Sequence, residues 1–169
     1  MKNILFLLLL FPYHLSNAQE TESIPKNANR FSSKRVSAVY VEFIGAGLIY
    51  SINYDVRFKQ SNMGPGMRIG AGGFSDGASS FYSFPIGFNY LFGKKVHAFE
   101  LGIGGTFTNL NKILNAQNPN VVGNLTLAYR IQPINDGFSL RIAFMQMFGS
   151  EQKTFFFIPW GGISFGYAF

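Results

Sequence analysis

Glu100, Arg130 and Arg141 each stand within a run of alternating apolar and polar residues, and each falls on the polar side. Counted from the same end of their runs, the three lie at similar depth. Two guanidinium groups facing one carboxylate satisfy one another, the condition for holding such groups away from water. Glu42, Asp55, Arg57 and Arg68 make a second set earlier in the chain, again on polar sides. The chemistry open to these groups is electrostatic: a charge-paired plug filling an interior or, where a pair can part, a gate for small solutes. Proton transfer is the other possibility, and it needs a group free to titrate. His97 is the one histidine beyond the first 18 residues. Its same-face neighbour is Phe99, where a nucleophilic hydroxyl would be required, and Glu100 falls on the opposite face. His97 is therefore expected as an amphipathic side chain at an interface.

The elements that position these charges are strands. From Ser37 onward the period is two, the signature of a half-buried strand. In "VVGNLTLAYRIQ" Val121, Leu125, Leu127, Tyr129 and Ile131 alternate with Val122, Asn124, Thr126, Ala128, Arg130 and Gln132. "KVHAFELGIGGTF" sets His97, Phe99, Leu101, Ile103 and Phe107 against Ala98, Glu100, Gly102, Gly104 and Thr106. "LIYSINYDVRFK" opposes Leu48, Tyr50, Ile52, Tyr54, Val56 and Phe58 to Ile49, Ser51, Asn53, Asp55, Arg57 and Lys59. With "FSLRIAFM" and weaker runs, eight strands are predicted at about 37–45, 48–59, 66–74, 81–92, 95–109, 121–132, 138–149 and 156–169, and no helix. "GKK" and "PINDG" read as short turns and "LNKILNAQNPN" as a long polar loop, so short and long connections are expected to alternate. Pro85 and Pro159 fall inside predicted strands, where a missing N–H is tolerated at a bulge or beyond the buried part.

Alternation alone does not say which face is inside. Charged residues are 13% of the chain and aromatics 17%, with 20 Phe, against roughly 25% charged in soluble domains. So few charges would solvate a soluble barrel's exterior poorly, whereas a narrow closed interior needs no more. Gly70, Gly72, Gly102, Gly104, Gly162 and Gly166 share the polar faces, and small residues suit a narrow interior. The fold expected is thus all-β: an antiparallel up-and-down transmembrane barrel of eight strands, lipid-facing and apolar outside, polar and plugged inside. Residues 1–18, with Lys2, an apolar run from Ile4 to Phe11 and a Ser16/Ala18 small-residue site, read as a cleaved signal peptide. Residues 19–36 then form a flexible periplasmic leader, and 37–169 the barrel.

The chain carries no Cys and a formal charge of +6, which excludes disulfide staples and cysteine lipidation. Lys26, Arg30, Lys34 and Arg35 are its one basic cluster, without the base-reading or stacking groups that nucleic acid requires. There is no GxGxxG, no P-loop, no Cys/His metal spacing and no EF-hand pattern. Neither metal nor cofactor is expected. "NLT" at Asn124 has the form of a glycosylation site but lies in a predicted spanning strand.

The signal peptide, the eight alternating segments and the closing "FGYAF" resemble the small eight-stranded barrels of Gram-negative outer membranes, the OmpA/OmpX type. The resemblance implies that Phe165, Tyr167 and Phe169 form a C-terminal signal read by the barrel-assembly machinery, with the C-terminus at the periplasmic side. Such barrels include structural anchors, adhesins, binding proteins and a few lipid-modifying enzymes. A lipid-A deacylase-type barrel uses a lipid-facing Ser and His with a supporting acid, which Phe99 and Glu100 do not supply around His97. The expectation is a non-enzymatic monomer in contact with outer-membrane lipid and lipopolysaccharide, the latter through Lys112 and Lys153 in external loops. A narrow gated pore and a lipid-modifying enzyme are the alternatives.

Overall fold

The computed structural model describes residues 35–75, 80–109, 121–151 and 154–169. They form β1 (Ser37–Gly45), β2 (Leu48–Arg57), β3 (Gly64–Ser75), β4 (Ser80–Lys94), β5 (His97–Thr108), β6 (Val121–Ile131), β7 (Gly137–Glu151) and β8 (Thr154–Ala168). Every expected strand is present, each end within two residues of its expected place. No helix occurs among the described residues. Each strand pairs antiparallel with the next and β8 returns to β1, so the sheet closes on itself. At the seam Ser37 and Phe169 exchange backbone hydrogen bonds of 2.9 and 2.8 Å. The proposed signal peptide, most of the leader, Lys112 and Lys153 lie outside the described residues.

Alternation decides the two faces. Phe84, Ile86, Phe88, Leu101, Ile103 and Leu127 stand out from the wall, while Ser51, Asn53, Asn89, Thr106, Asn124 and Thr126 are buried inside. The first described residue, Arg35, and Phe169 lie on one rim, the terminal rim, with connections 58–63, 95–96 and 132–136 between strand ends. The opposite rim carries the other four connections. Their lengths do not alternate as expected. β1 and β2 are joined on the opposite rim by Ala46 and Gly47 alone, and the terminal rim carries the six residues 58–63.

The β1–β2 turn also changes an expected face. Ile44, Gly45 and Leu48 all have positive φ, at 54°, 101° and 74°, a region costly for residues with a Cβ. The turn bends inward: Ala46 is fully buried and Leu48, expected outside, packs on an inner cluster with Ala46, Val122, Met145 and Met147. Ile49 is exposed in its place.

The prolines resolve differently from one another. The β3–β4 pairing skips from Ile69↔Ile86 to Gly72↔Ser83. The strands are equally long across that gap, so Pro85 lies at an interruption of the ladder and not at a bulge. Pro159 pairs with Gln146 on β7, but β1 meets β8 only from Ala168 to Gly162. Among the described residues it therefore stands on an edge without a β1 partner, where a missing donor breaks no ladder.

Candidate functional site

The inward register of six strands brings the seven expected charged residues into one closed lumen, where all are buried. Sequence depth alone suggests two separate sets. In the structure they form a single chain of contacts across the lumen. Arg141, on β7, grips Glu100 of β5 with two hydrogen bonds of 3.0 Å, from Nε and Nη2 to the two carboxylate oxygens. Its Nη1 reaches Oε1 of Glu42 on β1 at 2.7 Å. Arg130 of β6 bridges in the other direction, its Nη2 lying 2.7 Å from Glu100 and 3.2 Å from Asp55 of β2. Arg57 pairs with Asp55 and donates to the Gly64 carbonyl at 2.9 Å.

Arg68 stands apart. Its Nη1 is 3.6 Å from Glu42 Oε1, and neither Nε nor Nη1 has a hydrogen-bond partner. Among the described residues the lumen holds four arginines and three carboxylates, a surplus of one positive charge, and Arg68 is the member with the weakest tie.

Two polar side chains join these groups: Asn89, which the sequence reading did not single out, and Gln132, which it placed on the polar face beside Arg130. Asn89 of β4 donates to Asp55 Oδ2 at 2.7 Å and accepts from Arg57. Gln132 lies 3.4 Å from Arg130 Nη1. Asn89 could have been found, because "GFNYLF" places it in phase with inward Gly87. Tyr40 lies under Arg130, its ring centroid 5.8 Å from the guanidinium carbon.

Both ends of this network meet apolar side chains. Towards the terminal rim Val36, Ala38, Tyr40 and Ala168 form one cluster, and Met63, Leu91 and Ala98 form a second. At the other end the β1–β2 turn covers the lumen and is pinned from four strands. The Ala46 amide donates to Glu42 Oε2 at 3.0 Å. Thr106 donates to the Ala46 carbonyl at 2.6 Å, and Ser83 to that of Gly47 at 2.8 Å. Trp160 donates to the Gly45 carbonyl at 3.1 Å. Glu42 thus serves both the charge network and the cap above it.

His97 lies on the outer face near the terminal rim. Its Nδ1 is 2.6 Å from the Tyr129 hydroxyl, and the two rings stack at 6.1 Å. Phe99 packs edge-on against the same tyrosine, while Glu100 is turned inward and engaged by two arginines. Among the described residues the hydrogen-bond partner of the histidine is the phenol of Tyr129, and no carboxylate is paired with it. Among the described residues no group of three or more His, Cys, Asp or Glu side chains is placed to hold a metal ion. Phe165 and Tyr167 face outward beside the exposed terminal residue Phe169, and Phe165 lies 6.5 Å from the Phe138 ring.

This is the architecture of the small OmpA-type barrels. The fold is similar to that of the N-terminal β-barrel domain of OprF from Pseudomonas aeruginosa, with a TM-score of 0.53 over 82% of this chain and 99% of that one. Sequence identity between the two is 10%, so the likeness is one of fold. No protein-family model matches the sequence, and no curated protein matches it.

Proposed function

Starting from the fold of a small OmpA-type barrel, we propose that this chain is an integral outer-membrane protein with a closed lumen and a non-enzymatic role. That role is structural, adhesive or ligand-binding, and it is exerted through the rim opposite the chain ends. The observation that carries the reading is an apolar wall around a charge-filled interior, the inverse of a soluble barrel. In a bilayer the outward aromatics are solvated by lipid, and ring closure satisfies the backbone. In water the same wall would be an apolar patch well beyond the few hundred Å² that monomers usually show. Apolar layers on both sides of the ion pairs support a plug over a gate, because an ion would have to cross both layers and break a bidentate pair.

On this reading residues 1–18 direct export and are removed, and the chain ends face the periplasm. The barrel-assembly machinery reads Phe165, Tyr167 and Phe169. Lipopolysaccharide meets Lys112 and Lys153, and the barrel works as a monomer.

Membrane fractionation tests the location. A heat-modifiable band in the outer-membrane fraction is expected, and recovery as a soluble periplasmic protein would overturn the reading. In planar bilayers neither the wild type nor Glu100→Gln is expected to conduct. Steady single-channel conductance in either would sink the closed lumen. Expression is expected to leave the mass of lipid A unchanged, and a shift would restore the enzyme alternative.

A further inference from the structure

We propose that a groove on the outer face at the terminal rim seats one glycerophospholipid of net negative charge. This rests on the outer-membrane reading above. The groove is shallow and open, with a volume of about 350 Å³, and runs between the 58–63 connection and the end of β4. Lys59, Ser61, Met63, Pro65, Tyr90 and Phe92 line it.

The groove is built and not merely left over. Phe58 donates its amide to the Pro65 carbonyl at 2.9 Å, which folds the connection back on the start of β3. Asn62 donates to the Lys95 carbonyl at 3.0 Å, tying the connection to the β4–β5 turn. Ser61 accepts the Met63 amide at 3.0 Å and holds the bend between them. Pro65 and Tyr90 are opposite one another in the β3–β4 pairing. Tyr90 and Phe92 are half exposed, at 53% and 43%. They continue the apolar wall directly into the groove floor, so a chain lying along the wall meets no polar step.

Charge selects the occupant. Lys59 is on the lip, and Lys94 and Lys95 follow Gly93, which also lines the groove. None of the three lysines makes an ion pair among the described residues. The described acids are Glu42, Asp55 and Glu100, all sealed in the lumen, Glu151 at the far rim, and Asp136 on the β6–β7 connection. An apolar slot continuous with the lipid-facing wall and ending at uncompensated ammonium groups fits an acyl chain whose headgroup phosphate stays unneutralised. A zwitterionic headgroup brings its own cation and gains less there. Lipid A shares the phosphate chemistry, but the proposal places it in the other leaflet, at the opposite rim.

The test reconstitutes the purified chain into vesicles of phosphatidylcholine with phosphatidylglycerol and counts retained lipid by native mass spectrometry. The comparison is a Lys59→Gln/Lys94→Gln/Lys95→Gln variant, which touches no lumen residue and is expected to give the same heat-modifiable band. One phosphatidylglycerol per wild-type barrel is expected, with retention at least about fivefold lower in the variant, given the attraction each surface lysine contributes. Equal retention by both proteins, or no preference over phosphatidylcholine, would overturn the site. So would preferential retention of lipid A when both anionic lipids are supplied. Failure of the wild type to insert into either lipid would overturn the membrane reading and the site with it, whereas insertion without retention removes the site alone.

Discussion

At the scale of single residues, the luminal arginines are chemically alike and energetically unlike. Arg141 spends three nitrogens on two carboxylates, whereas Arg68 has one long ion pair and two buried nitrogens without a partner. Removing one partner of a buried pair strands the other charge and costs about 3–5 kcal/mol, so Arg141→Met is expected to destabilise the barrel by that amount. Arg68→Met strands almost nothing and removes the surplus positive charge; its cost is expected below about 1 kcal/mol, and a gain is compatible with the same argument. Urea unfolding of the vesicle-inserted barrel, followed by the fluorescence of the single tryptophan, Trp160, reads both. Equal costs would show that hydrogen-bond count does not rank these side chains. The seven residues themselves were legible in the sequence, since each falls on the polar phase of a strand. Their union into one network was not. The contacts from Asp55 to Arg130 and from Glu42 to Arg141 cross the lumen, and strand phase fixes the direction of a side chain but not its reach.

At the scale of elements, period two reports what a strand does, and it stops where a turn departs from strand geometry. That is why Leu48 and Ile49 exchange faces: three positive φ values beside the two-residue turn rotate the chain inward, and nothing in the alternation announces them. The turn depends on its anchors. Thr106→Val with Ser83→Ala leaves the Ala46 carbonyl buried without a donor, at about 1–3 kcal/mol, and the Gly47 carbonyl with the Ile49 amide alone. The double variant is expected to lose stability and to expose the Ala46 amide to deuterium exchange. A Cβ at Gly162 would come 2.8 Å from the Gly45 Cα, so Gly162→Ala is expected to push the same turn off β8 and give the same exchange signature. The β7–β8 hairpin carries the opposite asymmetry, with 15 residues in each strand against nine in β1. Beyond Gly162 the β8 edge has no strand partner on the β1 side among the described residues. Its amides between Phe155 and Gly161 that point away from β7 are expected to exchange at least about tenfold faster than those from Ile163 to Tyr167, because on that side they have no ladder partner on β1. Matching rates would mean that something covers the edge.

At the scale of the whole molecule, the β1–β8 seam that closes the barrel ends on Phe169, whose backbone pairs with Ser37 while its ring stands half exposed outside. Two roles meet in that residue and can be separated, because the seam needs only the main chain and a recognition signal needs the aromatic ring. Phe169→Ala keeps both seam hydrogen bonds and forfeits an outward side chain that contributes little to the interior. Spontaneous refolding from urea into lipid vesicles is therefore expected to reach the same yield, with stability lowered by less than about 1 kcal/mol. Deletion of Phe169 removes the seam pair as well, leaves the ends of β1 and β8 unpaired in lipid, and is expected to cost several times more. In cells the order of effects should differ: if the alternating aromatics are read during insertion, Phe169→Ala already lowers the amount of folded barrel in the outer membrane, as measured by the heat-modifiable band. Normal insertion of Phe169→Ala in cells, together with failed refolding of the deletion, would make the closing strand a matter of hydrogen-bonded closure alone and would remove the ring from any assembly signal.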